Sequence, residues 1–174
     1  MIMKKIILIS LFLLGTLFSS IAQNKTDNEF KTHLTMIYEH YINLKSAFIK
    51  SDVEAIIAMA KEVQRELPNV EKASALLENK KVWVTQSIKI ESSINAILKV
   101  KDIEKQRIAF AVLSEALYQS IKTYGVLGMK SYYQYCPMAL NGKGAYWLSL
   151  QEEIQNPYFG DKMITCGKTK EIIE

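Results

Sequence analysis

Cysteine is nearly absent: the 174-residue chain holds two, Cys136 and Cys166. No Cys-x-x-Cys pair or His-rich tract stands near them, which removes the common zinc frameworks. Histidine is as scarce, with His33 and His40 alone. Three prolines and seven glycines are too few for a low-complexity linker, and no internal repeat is visible. No nucleophile elbow, catalytic carboxylate pair or phosphate loop is present, and nothing sets either histidine beside a cysteine, so catalysis is not expected. The formal charge of +4, half of it from Lys4 and Lys5, is too weak to imply a nucleic-acid partner. Asp161 with Glu152 and Glu153 matches no calcium-binding loop.

Long apolar runs are also missing, with one exception at the start. In "MIMKKIILISLFLLGTLFSSIAQ", a basic opening at Lys4 and Lys5 precedes an apolar stretch from Ile6 to Phe18. Ser20 and Ala22 then form a small-x-small pattern ahead of Gln23. This is the pattern of a secretory signal peptide over residues 1–22, removed on export. The run is short for a membrane span, and no second one follows. No cysteine follows the cleavage pattern, so a lipid anchor is not expected there. The expected location is periplasmic or secreted, with no membrane association after cleavage. Residues 23–174 are then long enough for a single domain with its own core.

Four segments carry helical periodicity. Phe30, Leu34, Ile37, Tyr41, Leu44 and Phe48 recur at spacings of four and three, which puts them on one stripe. Ser51 with Glu54 reads as a capping box for a second helix carrying Val53, Ile56, Ala60, Val63 and Leu67, and Pro68 is expected to stop it. "VEKASALLEN" is then a short helix at most. A third helix is expected over Lys81–Lys99, with Trp83, Ser87, Ile90, Ile94 and Ile97 inward. Asp102 is the expected N-cap of a fourth, carrying Ile103, Phe110, Leu113, Leu117, Ile121 and Tyr124, with Gly125 as its C-cap. Short connections between such helices favour antiparallel neighbours. The expected fold is mainly α: an up-down four-helix bundle over about 27–125, with a small irregular, β-hairpin cap over about 129–170. In that cap "SYYQY" and "AYWLSL" read as paired strands, and "NGKG" and "NPYFG" as turns.

The sulfur-bearing residues lie in the cap. In "YCPM", extended geometry ahead of Pro137 would send Cys136 and Met138 to one side. In "KMITC", Met163 and Cys166 are three apart, and in a helical turn they share a face. Two thiols and two thioethers converging on one point would select a soft ion, above all Cu(I). Calcium and magnesium require oxygen ligands, and zinc seldom takes thioether. The same two cysteines in an exported chain also fit a disulfide, with Met138 and Met163 as packing against aromatic rings. Proximity is common to both readings, and both stay open. His33 and His40, seven apart on the first helix with Met36 between, form a possible additional metal set or a polar seam.

The segments "YCPMA", "GAYWLS", "NPYFGDKM" and "TCG", together with the helical "QRIAFAVLSEALYQSIKTYG", resemble a domain-of-unknown-function family of exported bacterial proteins. Members stand alone or are fused to periplasmic adaptor subunits of heavy-metal efflux systems. The resemblance implies a helical, bundle-like domain, an association with copper or related metals, an efflux adaptor as partner, and no established enzymatic activity. "YCPM" is also similar to a short heavy-metal motif of copper exporters in which histidine follows the methionine; Ala139 stands there in this chain. The ligand set Cys136, Met138, Met163 and Cys166 comes from spacing and softness, and the family supplies its context. The expected function is soft-metal binding linked to sequestration or efflux. The alternative is a non-catalytic interaction module stapled by a Cys136–Cys166 disulfide. In that case Tyr132, Tyr133, Tyr146, Trp147, Tyr158 and Phe159 form a local core or a partner surface.

Overall fold

The first-helix stripe is buried throughout: Phe30, Leu34, Ile37, Tyr41, Leu44 and Phe48 are all solvent-excluded. The remaining elements assemble around it in a computed structural model of the chain. Residues 26–75 and 77–174 are described; the expected signal peptide, residues 1–22, lies outside them. Helix α1 (Ile2–Ile49), described from Thr26, packs on α2 (Val53–Ser74). Next, α2 packs on α3 (Lys81–Lys99) and α3 on α4 (Ile103–Tyr124), in the up-down order expected. Asp102 caps α4 by accepting from the N–H groups of Glu104 and Lys105, and Gly125 ends it at φ +76°. Among the described residues no helix is long and apolar enough to cross a membrane.

Two expectations for α2 are corrected. Its N-cap is Asp52, whose carboxylate accepts from Ala55 N–H, and not Ser51. Ser51 instead stands at φ +55° and accepts a 3.1 Å hydrogen bond from Arg107 Nη2. Pro68 does not stop the helix, which continues to Ser74. Burial explains the continuation. Val70, Ala73 and Ser74 sit in the core beyond the proline, and Glu71 accepts from the Trp83 indole N–H at 3.0 Å. Tertiary packing thereby offsets the roughly 3 kcal/mol that an interior proline costs a helix.

The C-terminal part is more regular than expected. Strand β1 (Ser131–Cys136) pairs antiparallel with β2 (Ala145–Ser149), the predicted hairpin. A further strand, β3 (Lys168–Ile173), pairs antiparallel with the other edge of β1, giving the order β2-β1-β3. A register irregularity falls between Tyr133 and Gln134. The sheet lies along the side of the bundle, with β2 against α4. Tyr41 is the joint between them. Its ring stacks on Phe110 at 5.2 Å, its hydroxyl pairs with Ser114 Oγ at 2.8 Å, and it accepts from Leu148 N–H at 3.0 Å. One side chain of α1 thus ties α4 to β2.

Candidate functional site

The sheet brings the two cysteines together. Cys136 is the last residue of β1 and is completely buried. Cys166 precedes β3 and is half-buried. Because Tyr135 pairs with Lys168, the two cysteines flank the end of one ladder. Both are free thiols. They interact with each other: the Cys166 thiol is pushed up to about 11, first by its hydrogen bond with Cys136, then by burial and the Cys136 charge.

Residues not anticipated from the sequence hold Cys166 in place. Its N–H donates to Met163 O at 3.1 Å, and its carbonyl accepts from Asn156 Nδ2 at 2.7 Å. Asn156 is fully buried and has further work: its N–H donates to Ile164 O at 2.8 Å, and its Oδ1 accepts from Tyr158 N–H at 2.8 Å. Arg107, 5% exposed, anchors this turn to α4 by donating from Nε to Pro157 O at 3.2 Å. Tyr158 closes the floor. It packs edge-on against Trp147, and its hydroxyl donates to Tyr146 O at 2.6 Å. Burial keeps that hydroxyl protonated far beyond the ordinary phenol range. The signal in the sequence was Asn156-Pro157 itself, read as turn initiation alone; the clamp it forms on Cys166 spans ten residues. Replacing Asn156 with Ala removes two side-chain hydrogen bonds, one buried and one part-buried, so we expect a loss of about 2–3 kcal/mol. The urea midpoint measures that loss, and faster alkylation of Cys166 reports the freed segment.

The thioethers are arranged less symmetrically than the thiols. Extended geometry ends at Cys136, and Met138 already has helical φ/ψ (−86°, −13°), opening the turn Ala139–Gly142. Its side chain is 53% exposed. Met163 is half-buried and ends the 3-10 turn Gly160–Met163; Cys166 lies beyond that turn. His33 and His40 are on α1, where His33 Nδ1 pairs with Glu66 Oε1 of α2 at 2.6 Å. His40 is half-buried, and Met36 is 43% exposed. His33 therefore sits in a polar seam between two helices. Among the described residues no group of three or more His, Cys, Asp or Glu side chains is set to hold a metal ion.

The aromatics around the site form a local core. Trp147, Tyr133 and Tyr158 are buried, and Tyr132, Tyr146 and Phe159 half-buried. Tyr118, Tyr133 and Tyr146 stack in a column with centroid separations of 3.7 and 4.7 Å. At its end Tyr118 donates to Glu171 at 2.6 Å, and Lys122 bridges the same carboxylate, locking β3 to α4.

A family model described as a protein of unknown function, DUF3347, matches residues 37–128. That stretch comprises most of the helical bundle and ends before Cys136, so the match rests on the helices and not on the sulfur-bearing segments. No curated protein and no solved structure matches the chain. Matching more than half of its length, the helical framework shows that the chain belongs to the DUF3347 family of proteins of unknown function.

Proposed function

We propose that this protein binds a soft monovalent metal ion, best matched by Cu(I), through Cys136 and Cys166, and sequesters it or passes it to an efflux partner. The observation that supports this reading is the meeting of two thiols from separate segments at the end of β1. Thiolate and thioether donors select Cu(I) over harder ions, and a low-coordinate sulfur site needs no further histidine or carboxylate. Met163, in the same turn as Cys166, is the nearest candidate in sequence for a third donor, while exposed Met138 is available to incoming cargo. Asn156 positions Cys166 from behind. A partner's sulfur would meet the half-buried Cys166 side first, which gives ligand exchange a direction. An exported location and an efflux adaptor as partner belong to the same proposal, through the leader-like start of the sequence and its family resemblance.

Titration of the reduced protein with Cu(I) against a competing chelator tests it. One ion per chain is expected, lost in the Cys136→Ser, Cys166→Ser double variant and weakened in Met163→Leu. Stoichiometric binding that survives in the double variant would remove these cysteines from the function. A second reading draws on the complete burial of Cys136. There, a disulfide would staple the sheet, with about 3–4 kcal/mol of stabilisation from closing the intervening loop. Counting free thiols in protein isolated without reductant separates the two, since two favour the metal site and none the staple.

A further inference from the structure

We propose that the cysteine pair carries out ordered thiol–disulfide exchange, in which Cys166 receives a low-molecular-weight disulfide and Cys136 resolves it. This rests on the same sulfur pair as the metal reading and adds its redox regulation. Exposure sets the order. Cys136 is completely buried at the end of β1, so no external disulfide reaches it directly, whereas Cys166 is half-buried at the rim of the sheet. Tyr135 of β1 pairs with Lys168 of β3, which places Cys136 and Cys166 side by side at the same end of one ladder. The Cys166 backbone is held on both sides, by Met163 O and Asn156 Nδ2, which keeps its segment in place at the end of β1.

The chemistry balances in two steps. In alkaline solution, where its raised thiol ionises, Cys166 attacks one sulfur of the external disulfide. The external S–S bond breaks, a mixed disulfide forms on Cys166, and one thiolate leaves and is protonated. Cys136, deprotonated in turn, attacks the Cys166 sulfur. The mixed disulfide breaks, the Cys136–Cys166 bond forms, and a second thiolate leaves and is protonated. The protein loses two electrons and two protons, and the external disulfide becomes two thiols. The oxidised pair offers no thiolate, so oxidation switches off soft-metal binding, and a reducing thiol restores it.

Metal-free, reduced full-length protein treated with oxidised glutathione in alkaline buffer, where the Cys166 thiol ionises, tests this by intact mass and peptide mapping. The wild type should lose the mass of two hydrogens and retain no glutathione. Cys136→Ala should keep one glutathione on Cys166, and Cys166→Ala should remain unmodified. An adduct on Cys136 in Cys166→Ala, a lasting adduct on the wild type, or a wild type that reacts only after unfolding in urea would each overturn the proposal. If Cys136→Ala fails to fold, as judged by circular dichroism, acid-quenched wild-type time points keep the question decidable: a transient adduct is expected on the Cys166 peptide alone, and one on the Cys136 peptide overturns the order. The assay contains no metal, so it can succeed while Cu(I) titration fails, or the reverse. The two proposals therefore fall separately.

Discussion

Gly167→Ala should lower the thermal midpoint by about 6–12 °C, which corresponds to roughly 3 kcal/mol for a domain of this size. The residue links Cys166 to β3 at φ +146°, a backbone region that side chains rarely occupy. Space is short as well. A Cβ there would lie 2.8 Å from Trp147 Cη2, 3.0 Å from Tyr135 O and 3.3 Å from Ile154 Cγ2. Trp147 is fully buried, and the Tyr135 carbonyl belongs to the central strand, so neither can simply step aside. Gly125→Ala is the matching control. It also has positive φ, at +76°, but nothing lies within 4 Å of a Cβ there. That variant should show only the conformational cost of about 1 kcal/mol. Differential scanning calorimetry of the two variants measures the contribution of the clash. Equal stability would mean that Trp147 and β1 give way, and that the Cys166 segment is held less firmly than its contacts indicate. If the clash dominates, Cys166 should also alkylate faster in Gly167→Ala.

The second large effect is a gain. Lys45→Met should stabilise the protein by about 2 kcal/mol at neutral pH, after allowing for one lost hydrogen bond. Lys45 is 2% exposed, and its Nζ donates to Ser149 Oγ at 3.0 Å. No carboxylate forms an ion pair with it among the described residues. Burial therefore lowers its pKa from 10.5 to about 8. Between those two values the unfolded chain binds the proton and the folded chain does not, so this group makes stability rise with pH across that window. Below about 8 the deficit is complete, and it corresponds to at most about 3 kcal/mol. Other groups work in the opposite direction at alkaline pH. Tyr41 is raised, chiefly by burial, and Cys166 is raised to about 11, chiefly by Cys136; both favour the folded state until their unfolded forms ionise. They are common to both proteins, so the difference between variant and wild type isolates Lys45. Urea midpoints from pH 7 to pH 11 should show that difference shrinking as pH rises from 8 to 10.5. A difference independent of pH would show that the amine keeps its ordinary pKa when folded. Ser149 keeps a partner in the variant, because it still accepts from Gln151 N–H at 3.1 Å.

The helices were readable because their signals are local. A stripe such as Phe30–Leu34–Ile37–Tyr41 needs only spacing, and Asp102 needs only the two N–H groups that follow it. Pro68 misled for the opposite reason. The burial of Val70 and Ala73 that carries the helix onward depends on partners far away in sequence. Strand β3 has no counterpart among the expected strands, since "KTKEII" carries no continuous apolar run. It is an edge strand, exposed at alternate residues, and β1 supplies its hydrogen bonds. The meeting of Cys136 and Cys166 could be anticipated from their scarcity. Their unequal exposure and the Asn156 clamp could not, because both depend on how β3 docks. Met138 shows where spacing falls short: the i, i+2 argument assumes extended chain, and the chain turns there.

The position of the hairpin has a consequence for the boundaries of the folding unit. The match to the family ends at Gly128, but one of the two hydroxyl partners of Tyr41, Leu148, and the hydrogen-bond partner of Lys45 Nζ among the described residues, Ser149, both lie beyond that point. A fragment ending at Gly128 would leave a greasy flank and a stranded ammonium open to water, and it should self-associate when expressed alone. The stretch of sequence held in common is thus shorter than the piece of chain that can stand by itself.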